Sequence, residues 1–167
     1  MNPAFAASRR RLIDLAQELE RLKVGKRLLD LIRAAPNFEA ANKAWVVNTT
    51  LSAGVSGLYT GMEDVLRGLL ALVDEYVPGG ERSHQDILDQ ASVNVDGLRP
   101  AIIGQEVYDA LVDLKGFRHF ERHNYGFRFD GFLVEENEVR AEGLVAAFIV
   151  DVEAFIAVMS QSPEHLA

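Results

Sequence analysis

At 167 residues, 49% hydrophobic and 25% charged, the chain has the length and apolar content for a sizeable core, and one globular domain spanning residues 1–167 is expected. It has no cysteine, which excludes a disulfide framework, a cysteine zinc site and a cysteine nucleophile, and points to a reducing cytoplasm. A net charge of -8 excludes a protein that coats nucleic acid by neutralising phosphate over its whole surface, and Met1 to Ser8 lacks the long apolar region of a secretory leader.

Apolar residues recur at helical spacing almost throughout, and no window keeps a period of two between turn pairs. An all-α fold follows, an up-and-down bundle of about five helices. The first helix is predicted from near Ser8 to Arg33, with Leu12, Leu15, Leu19, Leu22, Leu28 or Leu29 and Ile32 inward, and Pro36 marks its end. The second runs from about Phe38 to Tyr76 with Leu51, Val55, Leu58, Met62, Val65, Leu69 and Val73 as its stripe, and Pro78-Gly79-Gly80 stops it. Gly54, Gly61 and Gly68 recur at heptad spacing within it, and Gly57-x3-Gly61 is a small pair. That face suits the close approach of another helix, within the domain or from a second subunit.

Ser83-His84-Gln85-Asp86 has the form of a capping box, so a short third helix is predicted to start there, with Ser83 as its cap. Pro100 and Gly104 bracket a loop, and a fourth helix follows through Val107, Ala110, Leu111, Leu114 and Phe117. A last helix, from about Glu135 to Gln161, carries Val139, Leu144, Ala147, Phe148, Val152, Phe155 and Met159, with acids crowding its start as the helix dipole favours. Asp151 and Glu153 interrupt its apolar stretch, so no membrane span is expected.

Charge is unevenly spread. Residues 1–33 hold eight Lys/Arg against four Asp/Glu, and residues 115–128 hold Lys115, Arg118, Arg122 and Arg128 against Glu121 alone. The second patch coincides with Arg118-x4-His123-x-Tyr125, near the end of the fourth helix, as a site for a phosphodiester requires. Gly126 is placed to end that helix in the left-handed conformation, which puts His123 and Asn124 in the final turn. There the free carbonyls favour a protonated imidazole, while a planar, always charged guanidinium suits charge on phosphate oxygens. On a straight helix His123 lies about 140° around from Arg118. Convergence therefore needs a distorted last turn or a second copy of the site from a partner subunit.

Each residue has a second reading. Arg118 extends the line of Val107, Leu111 and Leu114 and is also placed to pair with Glu121 or with an acid of another helix. His123 also reads as a capping histidine without chemistry, and Tyr125 as a partly buried aromatic. His119 and His123 share a turn, but no carboxylate pattern accompanies them, and no metal site is assigned. His84 reads as a residue standing behind the reacting groups. Glu63 and Arg67, four apart, read as an ion pair on a helix face.

The two stretches Leu58-Tyr59-Thr60-Gly61-Met62-Glu63 and Phe117-Arg118-His119-Phe120-Glu121-Arg122-His123-Asn124-Tyr125-Gly126-Phe127, with the order of the helices, resemble HepT-like members of the HEPN superfamily over roughly residues 10 to 160. The resemblance places the family's arginine on Arg118, its histidine on His123 and its tyrosine on Tyr125, with Asn124, His119, Arg122 and Glu121 around them. It implies an endoribonuclease toxin that needs neither metal nor cofactor, in which attack by the ribose 2′-hydroxyl leaves a 2′,3′-cyclic phosphate. It further implies a homodimer with a composite active site, and a small nucleotidyltransferase antitoxin of the MntA type that adds AMP to Tyr125. The alternative is a non-catalytic helical adaptor or substrate-binding partner of such a nucleotidyltransferase.

Overall fold

The computed structural model describes residues 3–80, 82–123 and 131–161, and the side chains of 120–123 lie outside that description. After a short 3₁₀ turn at Pro3–Phe5 come α1 (Ala6–Ala34), α2 (Ala40–Val73), α3 (Ser83–Ser92), α4 (Gln105–His123) and α5 (Gly131–Gln161). The described residues contain no strand, only an isolated bridge between Val95 and Arg99, and the all-α bundle expected from periodicity is what forms.

The bundle is built around α2, which packs against all four other α-helices. That position explains its residues. The seven expected stripe residues are all buried, and Val47, Tyr59, Leu66 and Leu70 are buried beside them, because a helix covered on several sides needs apolar groups well beyond one stripe. On α1, Leu12, Leu15, Leu19 and Leu29 are buried, and Leu28 is left exposed. Ala35 takes the extended conformation that a following proline imposes, which ends α1 one residue earlier.

Glycines set the distance between α1 and α2. A methyl group on Gly54 would lie 2.4 Å from Leu22 Cδ1, one on Gly61 3.1 Å from Leu15 Cδ1, and one on Gly68 2.3 Å from Arg11 Nη1. The heptad glycines thus serve packing within the bundle, and the bare backbone at Gly68 lets Arg11 reach across to the carbonyl of Asp64 at 3.0 Å. Gly57 has nothing within 4 Å of the same position, so it is not part of that close seam. Gly57→Ala is expected to stabilise the protein by about 1 kcal/mol through helix propensity alone. Gly54→Ala should gain less, because Leu22 must move. Urea unfolding of the two variants checks this, and equal gains would mean that α1 yields freely.

Three helix ends differ from expectation. α2 stops at Val73 rather than Tyr76, because Glu75 turns into the left-handed region at φ 53° before the Pro-Gly-Gly segment is reached. Ser83 is the first helical residue of α3 and makes no capping bond. The backbone N–H groups of Gln85 and Asp86 both bond to the carbonyl of Arg82, so the residue at the cap is Arg82 and the Ser83–Asp86 box is one position out of register. α5 starts at Gly131, four residues before Glu135, and its first turn holds no acid. Its buried line runs through Val134, Glu138, Ala141, Val145, Phe148, Val152, Phe155 and Met159, which leaves Val139 and Ala147 outward.

The acids of α5 serve the bundle instead. Glu135 accepts from Arg33 at 2.6 Å, and the buried Glu138 accepts from Lys26 at 2.5 Å, both ties to α1. Asp151 accepts the backbone N–H of Gly104 at 2.7 Å, and Glu153 lies 3.4 Å from Arg9. By length and composition α5 is long and apolar enough to cross a membrane, with a mean hydropathy of 2.0 over its most apolar window.

Candidate functional site

The site starts from one face of α2. Tyr59, Glu63 and Arg67 are spaced four apart, so their side chains stack along a single line. Glu63 is buried, and its Oε1 accepts both Nε and Nη2 of Arg67, at 2.9 and 2.8 Å. Its Oε2 lies 2.6 Å from Nδ1 of His84, in the first turn of α3. The same oxygen is 3.9 Å from Nη1 of Arg118 on α4. One carboxylate therefore joins three helices. Burial by itself would raise its pKa, but the hydrogen bonds and charges of His84 and Arg67 outweigh burial and hold Glu63 below the ordinary carboxylate value, so it is ionised at neutral pH.

Arg118 follows Val107, Leu111, Leu114 and Phe117 on the buried side of α4 and is 14% exposed. Its guanidinium carbon sits 5.3 Å from the centre of the Tyr59 ring. A cation over an aromatic face is attracted by the ring quadrupole, so Tyr59 acts as a platform that limits where the guanidinium can go. The Tyr59 hydroxyl is buried with no hydrogen-bond partner at ordinary geometry, and burial followed by the negative charge of Glu63 keeps its proton on, well above the usual phenol range.

Above this cluster opens a cleft of about 480 Å³ lined by Arg82, His84, Gln85, Lys115, Gly116, Arg118 and His119. Lys115 donates from Nζ to Oε1 of Gln85, and Gln85 Nε2 donates to Asp89 at 2.6 Å, so α4 and α3 are laced together along one wall. Among the described lining residues there are three permanent cations, two histidines and no carboxylate. Behind them, Glu63 is shared by two arginines, which leaves the inner cluster positive by one charge with His84 neutral. Such a lining attracts an anion and offers Arg118 as a planar, multidentate donor to it.

The structure brings together residues that the sequence reading had kept apart. Glu63 and Arg67 are more than an ion pair on a helix face, since Glu63 is buried at the centre of the cluster. His84 lines the cleft itself. The acid of another helix that Arg118 was placed to meet is Glu63, at 3.9 Å. Tyr59 and Arg82 had not been singled out as site residues. The signal for Tyr59 and Glu63 was available as a polar line through an otherwise apolar buried stretch. The helix α4 is described as far as His123, but the side chains of Glu121, Arg122 and His123, and all of Asn124 and Tyr125, lie outside the described residues. His119 is described and lines the cleft.

An all-α bundle with Arg118 of its fourth helix beside a cationic cleft is what the resemblance to the HEPN class implied. A family model for HepT-like proteins matches residues 50–159, most of the chain, from within α2 to the last turn of α5, and the chain belongs to that family. No significant match was found among curated proteins or among solved structures.

Proposed function

We infer that the protein is the endoribonuclease toxin of a two-component toxin–antitoxin module, a single HEPN domain that works in the cytoplasm and cuts RNA without a metal ion. The observation that carries this reading is Arg118, held on Tyr59 at the edge of a cleft lined by cations and free of carboxylates among the described residues. The phosphodiester lies against Arg118, which stabilises charge on its non-bridging oxygens as the ribose 2′-hydroxyl attacks phosphorus. By the family's motif His123 exchanges protons in this reaction. On a regular α4 it falls about 140° around the helix from Arg118, so the composite site of a homodimer is part of the reading.

The test is cleavage of transfer and messenger RNA by the purified protein in chelator. Wild type is expected to cut and His123→Ala to lose on the order of 100-fold or more, as removal of a proton-transfer group does. Equal cutting by both would overturn the assignment of His123, and no cutting by wild type would leave a non-catalytic adaptor. Co-expression with a neighbouring small nucleotidyltransferase is expected to add the mass of one AMP to Tyr125. That anion, two residues from His123, would compete with RNA for Arg118.

A further inference from the structure

The way His84 is held fixes which of its two nitrogens can do chemistry. A carboxylate only accepts, so the 2.6 Å contact with Glu63 Oε2 requires the hydrogen on Nδ1. In the neutral ring the lone pair is then on Nε2, on the side away from Glu63, and no described residue is bonded to it. The imidazole is 40% exposed while Glu63 beneath it is 6% exposed. Glu63 has little freedom to turn away, because Arg67 grips its other oxygen through two N–H groups. An oriented imidazole with a buried carboxylate behind it and an arginine 3.9 Å from that carboxylate is the arrangement that proton transfer beside a phosphate needs.

We propose that His84 is a catalytic base of this cleft, that Glu63 is its positioning residue, and that the group it deprotonates is the 2′-hydroxyl of a ribonucleotide whose phosphate rests on Arg118. The assignment builds on the ribonuclease reading and names a residue outside the Arg118–His123 motif. Nε2 takes the 2′-hydroxyl proton, the freed electron pair of O2′ forms a bond to phosphorus, and the bond from phosphorus to O5′ breaks. The departing O5′ takes a proton from water or from the motif imidazole of His123. The His84 imidazolium so formed faces the Glu63 carboxylate, and the surrounding cations Arg82, Lys115 and Arg118 face the phosphate.

The experiment compares an RNA oligonucleotide with the same oligonucleotide carrying sulfur in place of the bridging 5′-oxygen at the cut. A thiolate leaves without a proton, so the second substrate removes the need for an acid and keeps the need for a base. His84→Ala is expected to lower kcat on the order of 100-fold on both substrates. His84→Asn, whose amide nitrogen takes the place of Nδ1 and still donates to Glu63 but cannot take the proton, is expected to lose as much while melting like the wild type. Glu63→Gln, whose amide can donate to Nδ1 and push the ring hydrogen onto Nε2, should lower kcat with KM retained. Full activity in His84→Asn would show a structural pin between α2 and α3, and recovery of His84→Ala on the sulfur substrate would make it an acid; either overturns the proposal. Wild type that cuts neither substrate overturns the ribonuclease reading as well, whereas wild type that cuts no better than the His84 variants overturns only this base.

Discussion

Arg118→Ala is expected to lower kcat/KM for RNA by about 10²–10³-fold, the usual consequence of removing one preorganised donor from a developing oxyanion. The loss should be almost entirely chemical. Glu63 keeps Arg67 and His84 after the substitution, so no buried carboxylate is stranded, and what disappears from the fold is one contact over Tyr59 and a 3.9 Å charge pair. Such a contact contributes roughly 0.5–2 kcal/mol. The unfolding temperature should therefore fall by only a few degrees. Arg118→Lys separates charge from shape: an ammonium keeps the charge but not the fork of parallel N–H groups, and it should recover only part of the rate. Activity measured beside thermal unfolding checks this, and an alanine variant cutting within about twofold of wild type would remove the phosphate-binding role from Arg118.

The parts of this molecule that repeat along one helix were legible in the sequence. Heptad glycines on α2 announced a close neighbour, and the seam with Leu15, Leu22 and Arg11 is that neighbour. The stripe of α2 was read correctly as far as it went, but a period of 3.6 describes a helix covered on one side, and α2 is covered by four helices. The site was half legible. Arg118 stood out through its motif, whereas Glu63 looked like half of an i,i+4 pair because Arg67 is indeed its partner. What spacing could not show is the third dimension: His84 reaches Glu63 from 21 residues away and Arg118, on α4, from 55 residues away, and those approaches depend on how α3 and α4 pack against α2. The capping box failed for a local reason of the same kind. A turn from Gly80 to Ser83 delivers the Arg82 carbonyl to the position that Ser83 was expected to occupy.

What keeps α3 and α4 at that distance from α2 is a second buried ion pair, and its removal should have the largest effect on stability. Arg99, in the segment between α3 and α4, is 4% exposed. It donates from Nε and Nη2 to both oxygens of Asp74 at 2.5 and 2.8 Å, and to the carbonyls of Gln90, Val93 and Pro100. Five N–H donors thus fasten the end of α2, the end of α3 and the segment leading to α4. Arg99→Ala is expected to destabilise the protein by about 3–5 kcal/mol, because it leaves a buried carboxylate with Gln90 as its remaining partner and frees three carbonyls. That is a large part of the 5–15 kcal/mol typical of a domain, so the urea midpoint should drop steeply and the cleft should loosen with it. The sign with pH follows from Asp74. Burial would raise its pKa, but the hydrogen bonds of Arg99 and Gln90 and the arginine charge outweigh burial and set it below the ordinary 3.8. A depressed carboxylate contributes its stabilisation in full above its unfolded value and loses it as pH falls through the folded one. The gap between wild type and Arg99→Ala should accordingly be constant from neutral pH down to about pH 5, then close as the solution is taken below 3.8. A gap under about 1 kcal/mol at neutral pH, the size of an exposed pair, would show that this arginine is not what holds the three segments together.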